Sequence, residues 1–260
     1  MRNSLLIFDS AAATHAGKVR SCNEDSHLVQ PESGIWAVAD GMGGEEAGDV
    51  ASSTVIAALQ SIEPASSAAD LLAACEDRMI RANSHLKAIA SERGAAVVVG
   101  TTVAVLLTYG SHYACVWSGD SRIYRVRGGQ IAQLSRDHTA VQELIDDGKL
   151  TPDEARAWPE RHVITRAIGV NDQPELDLEY GVMSPGDVFV LCSDGLFAHI
   201  TDDEILHHVS TYPSRRACDE LIALTLRRGA VDNVTVIVVR YRPNGSRPLV
   251  SGGQSSRLGE

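Results

Sequence analysis

Four aspartates lie at or beside the ends of strand-like segments and could act together as metal ligands. Asp40 and Asp194 each follow a short apolar run, Asp232 precedes the last apolar run, and Asp120 lies in a turn. Carboxylates, backbone carbonyls and water are the ligands that Mg²⁺ and Mn²⁺ select. Each aspartate alone could equally belong to an ordinary turn, so the metal hypothesis depends on the whole set.

A second group of charged residues lies near the N-terminus, where Arg20 is followed by Glu24 and Asp25. One interpretation is a surface ion pair, which contributes little to stability. The other is an arginine that binds phosphate through its guanidinium fork while the carboxylates order water around a metal. The spacing alone does not separate the two.

Segments with helical periodicity alternate with strand-like runs that must position these residues. Helices are predicted at 47–62, 68–92, 141–147, 152–158, 202–210 and 214–228, and strands at 35–39, 102–108, 113–118, 123–127, 131–134, 187–192 and 233–241. Glycines separate the four middle runs, which predicts an antiparallel meander. Helix pairs between runs of adjacent strands indicate an α+β fold.

Composition excludes several functional classes for this chain of 260 residues. The formal net charge of −11 argues against a nucleic-acid or anionic-membrane surface, because either needs basic residues. The longest apolar stretch, 95–107, is shorter than the ~20 residues of a membrane span. The five cysteines lack the spacing of a zinc site, so we expect buried, reduced thiols in a cytoplasmic protein.

Eight short motifs resemble those of the metal-dependent Ser/Thr protein phosphatases (PPM, type 2C), in their compact bacterial form. They occur in the family's order at 17–25 (GKVRSCNED), 38–44 (VADGMGG), 100–102 (GTT), 118–122 (SGDSR), 135–139 (SRDHT), 164–169 (ITRAIG), 192–196 (CSDGL) and 232–235 (DNVT). One such motif is weak evidence. Eight in order over nearly the whole chain are specific.

The resemblance implies a four-layer α-β-β-α sandwich, with two antiparallel sheets flanked by helix pairs. One catalytic domain would cover 1–242, with a flap insert at about 139–178 and a disordered tail at 243–260. The implied reaction is hydrolysis of phosphoserine and phosphothreonine by direct attack of a metal-bridging water or hydroxide. We expect a monomer that acts on phosphoproteins and opposes a bacterial Ser/Thr kinase.

The resemblance also implies roles for individual residues around two metal ions. Asp40 would bridge both ions, and Asp194 and Asp232 would complete the protein ligands of the first. The Gly41 carbonyl would join Asp40 on the second, with Glu24 acting through water. The residues alone do not distinguish Mn²⁺ from Mg²⁺, and Mn²⁺ is the expectation from bacterial relatives.

Three further residues match family positions around this pair of ions. Asp25 would orient ligands, and Asp120 together with Asp194 would hold a third metal ion. Arg20 matches the phosphate-binding arginine, which would neutralise charge on the equatorial phosphate oxygens.

Two departures from the family leave the donor of the leaving-group proton open. Met42 occupies the place where some members carry a proposed general-acid histidine, and Trp158 precedes Pro159 where many bacterial relatives have histidine. A metal-bound water and His162 are the candidates. The insert lies far in sequence from the ligand motifs, so we expect it to select the substrate rather than perform the chemistry.

Two other functions are compatible with the same fold. A pseudoenzyme that only binds a phosphoprotein is disfavoured, because every predicted carboxylate and Arg20 are present. A hydrolase of a small phosphorylated metabolite would share the fold and the metals, and the sequence separates it poorly. A P-loop NTPase is excluded, since no GxxxxGK[ST] motif occurs.

Overall fold

Two antiparallel sheets form the centre of the molecule in the computed structural model, which describes residues 7–43, 47–94, 97–156, 158–160 and 163–242. The first sheet contains, in spatial order, β1 (Ile7–His15), β11 (Val234–Arg242), β10 (Val188–Cys192), β7 (Arg122–Arg127) and β8 (Gln130–Gln133). The second contains β2 (Asp25–Gln30), β3 (Ile35–Met42), β5 (Val103–Tyr109), β6 (His112–Ser118) and β9 (Asp177–Val182), with β4 (Gly100–Thr101) paired to β3.

Helices cover the outer face of each sheet. The second sheet packs against α1 (Gly48–Gln60) and α2 (Ala68–Arg93), and the first against α5 (Asp194–Phe197), α6 (Asp202–Thr211) and α7 (Ser214–Arg227). Two short helices, α3 (Ala140–Asp146) and α4 (Pro152–Arg156), lie in the predicted insert. The predicted four-layer α+β sandwich is confirmed. Of the helices in the described ranges, none has the length and apolar character needed to cross a membrane.

The central strands are buried on both faces, which explains their continuous apolar sequences. In β3, Ile35, Ala37 and Ala39 face the helices, whereas Trp36 and Val38 lie between the sheets. Successive side chains of a strand point to opposite faces, so a doubly buried strand needs apolar residues at every position. β3 continues three residues beyond its predicted end and includes Asp40.

The predicted meander is wrong, because its four strands belong to two sheets. β5 and β6 pair in the second sheet, and β7 and β8 pair in the first. The turn at Gly119–Asp120 therefore crosses from the second sheet to the first. Ile123, near the start of β7, lies in the apolar layer between the two sheets. β1, β2, β4, β9 and α5 were not predicted, and β9 includes the last two residues of the predicted insert.

All five cysteines are free thiols. Four of them are buried, but Cys22 is exposed, so the expectation of buried thiols is wrong for this residue.

Candidate metal centre

Two aspartates of the second sheet lie opposite each other at one end of neighbouring strands. Asp25, the first residue of β2, pairs with Asp40 of β3. Residues directly opposite in an antiparallel pair project their side chains from the same face. The amide of Gly41 donates a hydrogen bond to the carbonyl of Glu24 at 3.2 Å, which fixes these two residues beside the pair.

The first sheet contributes two further aspartates from adjacent strands. Asp194 begins α5, one residue after the end of β10, and Asp232 precedes β11. The amide of Ser193 donates to the carbonyl of Thr235 at 3.1 Å, so the end of β10 lies beside the start of β11. A Cβ at Gly195 would lie 1.9 Å from the carbonyl oxygen of Asn233, which explains why glycine follows Asp194.

Hydrogen bonds from the first sheet to Asp25 and Glu24 join the two sheets at this end. The carboxylate of Asp25 accepts from the hydroxyls of Ser193 and Thr235, both at 2.7 Å. The side-chain oxygen of Asn233 accepts from the amide of Glu24 at 2.8 Å. Sequence reasoning assigned no role to Ser193, Asn233 or Thr235, although each lies inside one of the eight motifs. Their position next to Asp194 and Asp232 was the available signal.

Two threonines hold the backbone of Asp40. The carbonyl of Asp40 accepts from the Thr101 hydroxyl and the Thr102 amide, both at 2.9 Å, and its amide donates to the Thr102 hydroxyl at 3.2 Å. Thr101 also exchanges two backbone hydrogen bonds with Ile168 of the insert, at 2.9 and 3.0 Å. Ile168 of the insert is therefore connected to Asp40 through a single residue, Thr101. Although the insert is far from the ligand motifs in sequence, this part of it lies close to them in space.

A glycine at the start of α1 makes room for two of the predicted ligands. A Cβ built on Gly48 would lie 2.3 Å from Oε1 of Glu24 and 2.9 Å from the carbonyl oxygen of Gly41. These two oxygens therefore lie close to the same point, as expected if both face one cation directly or through water.

The fourth predicted metal-binding aspartate, Asp120, lies buried in the turn that crosses between the sheets. The hydroxyl of its neighbour Ser121 is 2.8 Å from that of Thr102, which places the turn against the residue that holds Asp40.

Arg20 lies at the exposed rim of this group. Its guanidinium donates to the carboxylate of Asp232 at 2.7 Å, and the two side chains are 51% and 34% exposed. Within the described part of the chain, no three Asp, Glu, His or Cys side chains lie close enough together to hold a metal ion by themselves.

Met42 and the end of the insert form an apolar side of the site. A Cβ at Gly100 would lie 2.9 Å from the Met42 methyl carbon and 3.1 Å from Val170. Residue 42 therefore packs as a hydrophobic side chain. His162, the other candidate proton donor, lies outside the described residues.

Comparison with known proteins identifies the family. The model of the protein phosphatase 2C family matches residues 10–144. This chain belongs to that family. The serine/threonine protein phosphatase PstP of Mycobacterium tuberculosis is 38% identical over 259 residues, which cover 98% of this chain and 50% of PstP. The chain thus spans about half the length of that phosphatase 2C relative.

Solved structures of phosphatase 2C proteins have the same fold. PppA, described as a key regulatory component of T6SS in Pseudomonas aeruginosa, is 41% identical with a TM-score of 0.84, covering 90% of this chain and 97% of that one. The PstP catalytic domain in complex with two manganese ions is 37% identical with a TM-score of 0.80, and the match covers 91% of this chain and 99% of that domain.

The residues of this phosphatase 2C chain fit divalent cations on two grounds. The donors are carboxylate and carbonyl oxygens, which hard cations select. The carboxylates also carry excess negative charge: burial, and then repulsion from the other four aspartates (Asp25, Asp194, Asp120 and Asp232), raises the pKa of Asp40 well above its usual range. A bound cation would relieve this repulsion.

Asp25 and Asp120 respond to the same environment. Burial raises the pKa of Asp25 to about 7, against the opposing effect of the hydrogen bonds from Thr235 and Ser193. Burial, and then the negative charge of Asp194, raises the pKa of Asp120 to about 7. The metal-free site therefore holds these carboxylates ionised only at the expense of stability.

In metal-free protein, Asp25→Asn should raise the free energy of unfolding at pH 8 by on the order of 2–4 kcal/mol. Between pH ~4 and about 7, Asp25 is protonated in the folded wild type but already ionised in the unfolded chain. The stability of the wild type therefore falls as pH rises through that window. At pH 5 the gain should be much smaller. Urea unfolding in EDTA at both pH values measures it.

Asn at position 25 keeps an oxygen to accept both hydroxyls. Asp219→Asn on the exposed side of α7 is the matched control and should change stability little, because its ion pair with Arg215 is exposed. An Asp25→Asn gain equal at pH 5 and pH 8, or a loss at pH 8, would contradict the interpretation.

Proposed function

We propose that this chain is a metal-dependent protein phosphatase that hydrolyses phosphoserine and phosphothreonine on proteins phosphorylated by a Ser/Thr kinase. The observation that carries the proposal is an exposed guanidinium at the rim of a group of aspartates from both sheets, of which Asp25 and Asp120 are buried. A phosphate bound there would face a permanent positive charge on one side and the proposed cation ligands on the other.

The proposed ligands divide between the two sheets. Asp40 would bridge two cations, Gly41 would contribute its carbonyl to one, and Asp194 and Asp232 would hold the other. When bound, such a pair of ions lowers the pKa of a water and neutralises charge on the phosphoryl oxygens. The chain's own contribution is to hold the ligand backbones rigidly, as the two hydrogen bonds to the Asp40 carbonyl do. A third cation at Asp120 and Asp194 is part of this proposal.

Arg20 is the proposed phosphate-binding residue. Its planar fork suits two phosphate oxygens, and its exposure leaves the guanidinium accessible to substrate. Asp232 holds the guanidinium at the rim through one hydrogen bond at 2.7 Å.

Met42 carries no exchangeable proton, so the leaving serine or threonine oxygen must take its proton from elsewhere. A water and His162 remain the proposed candidates. Met42 and Val170 both lie next to Gly100, so the side of the site formed by residue 42 is apolar.

A phosphothreonine peptide distinguishes the proposed enzyme from a pseudoenzyme. Mn²⁺ should be required for its hydrolysis, and Asp40→Asn should lower kcat/KM by at least ~10³-fold, because one side chain would bridge both ions. The free phosphate released is measured with and without Mn²⁺, and the Asp219→Asn variant should behave as wild type.

Folded, Mn²⁺-loaded wild type that leaves several phosphopeptides intact would refute the proposal. Turnover of small phosphorylated metabolites in that case would favour the metabolite hydrolase instead.

Replacing Arg20 tests its proposed role in phosphate binding. Arg20→Ala should lower kcat/KM for the peptide roughly 10–100-fold through loss of a charge-assisted hydrogen bond. The kcat/KM of Arg20→Lys should lie between those of wild type and Arg20→Ala, since lysine keeps the positive charge but lacks the planar fork. Mn²⁺ affinity, measured by calorimetry, should not weaken, because the variant frees Asp232 from a competing cation.

Arg81→Ala, on the exposed surface of α2, is the matched control for charge removal. A loss of Mn²⁺ binding in Arg20→Ala, with an unchanged kcat/KM at saturating metal, would assign Arg20 to the metal site alone.

Exchange of the first half of the insert tests its proposed role in substrate selection. Residues 140–160, taken from a relative, should change the preference among phosphopeptides and leave hydrolysis of a small aryl phosphate intact, because these residues hold none of the proposed ligands. The segment from 163 onward stays, since Ile168 pairs with Thr101. Lost Mn²⁺ binding in the chimera would refute this division of roles.

A further inference from the structure

A buried histidine from the fifth motif, His138, contacts the turn that contains Asp120. The amide of Gly119 donates to Nδ1 of His138 at 3.1 Å, and the amide of His138 donates to the carbonyl of Gly119 at 3.0 Å. The residue before Asp120 is therefore held from both its amide and its carbonyl. His138 is 6% exposed and its ring lies stacked near that of Trp117.

These contacts determine the tautomer of His138. A backbone amide can only donate, so Nδ1 must carry no proton. The proton is then on Nε2, which donates to the carboxylate of Asp177 at 3.1 Å. Both ring nitrogens are thus used, one on the Asp120 turn and the other on the first residue of β9.

Asp177 is itself held by a residue of the insert. Arg166 donates to its other carboxylate oxygen at 3.0 Å and lies 3.3 Å from Glu175. Because Nε2 of His138 carries a proton, its 3.5 Å approach to the Arg166 guanidinium is a contact between two donors. The effect of Arg166 on His138 therefore passes through Asp177.

The other side of the same turn is held by the residue next to His138. Asp137 accepts three hydrogen bonds from Arg122 at 2.6–3.0 Å, and the Arg122 guanidinium lies 3.7 Å above the ring of Phe197 in α5. Asp137 and His138 thus hold both ends of the 119–122 segment. α5, which Arg122 contacts, is the helix that Asp194 begins.

The turn has little freedom to compensate if His138 is lost. Gly119 has a φ of 106°, and a Cβ there would lie 2.6 Å from the side chain of Thr102. A change in this turn would move Asp120 relative to Asp194.

We propose that His138 is a positioning residue that holds Gly119, and through it directs the carboxylate of Asp120 towards Asp194. Asp177 fixes the ring of His138 in the required tautomer. This rests on the proposed function only in taking Asp120 as a ligand of a third cation. It adds a residue that sets the affinity of that site without touching the ion or the substrate.

The experiment counts Mn²⁺ ions by calorimetry on the full, metal-stripped chain. His138→Leu should weaken the weakest Mn²⁺ site ~10–100-fold, as the loss of a residue behind a ligand does, and so reproduce Asp120→Asn. His138→Asn places an oxygen near the position of Nδ1 and should restore most of the affinity. His85→Leu, an exposed histidine of α2, is the matched control and should bind as wild type.

A second readout follows the turn without metal. In hydrogen exchange by NMR, the Gly119 amide should be protected in wild type and in His138→Asn, and should exchange at least ~10-fold faster in His138→Leu, because its acceptor is gone. If His138→Leu does not fold, Asp177→Asn replaces it. That variant should shift the ¹⁵N signals of the His138 ring and weaken the same Mn²⁺ site.

The outcomes separate this inference from the proposed function. Weakened metal binding together with fast Gly119 exchange supports it. Wild-type Mn²⁺ affinity in a variant whose Gly119 amide exchanges fast would overturn it, and so would an amide that stays protected. If Asp120→Asn leaves all Mn²⁺ sites unchanged, the ligand assignment of Asp120 fails, and Gly119 exchange alone decides whether His138 holds the turn.

Discussion

Repulsion among aspartates brought together from two sheets is the constraint on which the rest of the structure depends. Burial and the neighbouring carboxylates both disfavour the charged form of Asp40. The surrounding fold must therefore hold this arrangement against a local free-energy cost. Three apolar layers do so, one between the sheets and one under each group of helices, because they fix the strand ends from which the carboxylates project.

The two sheets must also stay in register at this end, since each supplies part of the site. Apolar packing between sheets is not directional, whereas hydrogen bonds are. Asp25 accepts two hydroxyls from the facing sheet, and Asn233 binds the amide of Glu24 and the carbonyls of Ala16 and Cys22. These bonds connect residues up to 217 positions apart in sequence. The buried carboxylate of Asp25 thus joins the two sheets through hydrogen bonds, although its burial disfavours the charged form.

The sequence predicts the parts of this structure that follow from local pattern. The runs before Asp40 and Asp194 were predicted as strands because each is a short, continuous apolar sequence, and the structure buries both of their faces. β9 was missed because its sequence, DLEYGV, mixes charged and apolar residues and its side chains are mostly exposed. The meander prediction failed because glycine at 119 signals a turn, but not whether the chain stays in one sheet. The roles of Ser193, Asn233, Thr235 and His138 depend on long-range partners, which no local pattern reveals.

The insert is attached to the site at two points, one through backbone hydrogen bonds and the other through side chains. Ile168 pairs with Thr101, which binds the Asp40 carbonyl, and Arg166 reaches the Asp120 turn through Asp177 and His138. The helices α3 and α4 make neither contact. α3 does contact the segment next to His138, because its Asp146 pairs with Arg136. A displacement of residues 164–169 would reach both Asp40 and Asp120. If the first half of the insert selects the substrate, as proposed, its exchange leaves the hydrogen bonds of Ile168 and Arg166 in place, provided the second half is kept.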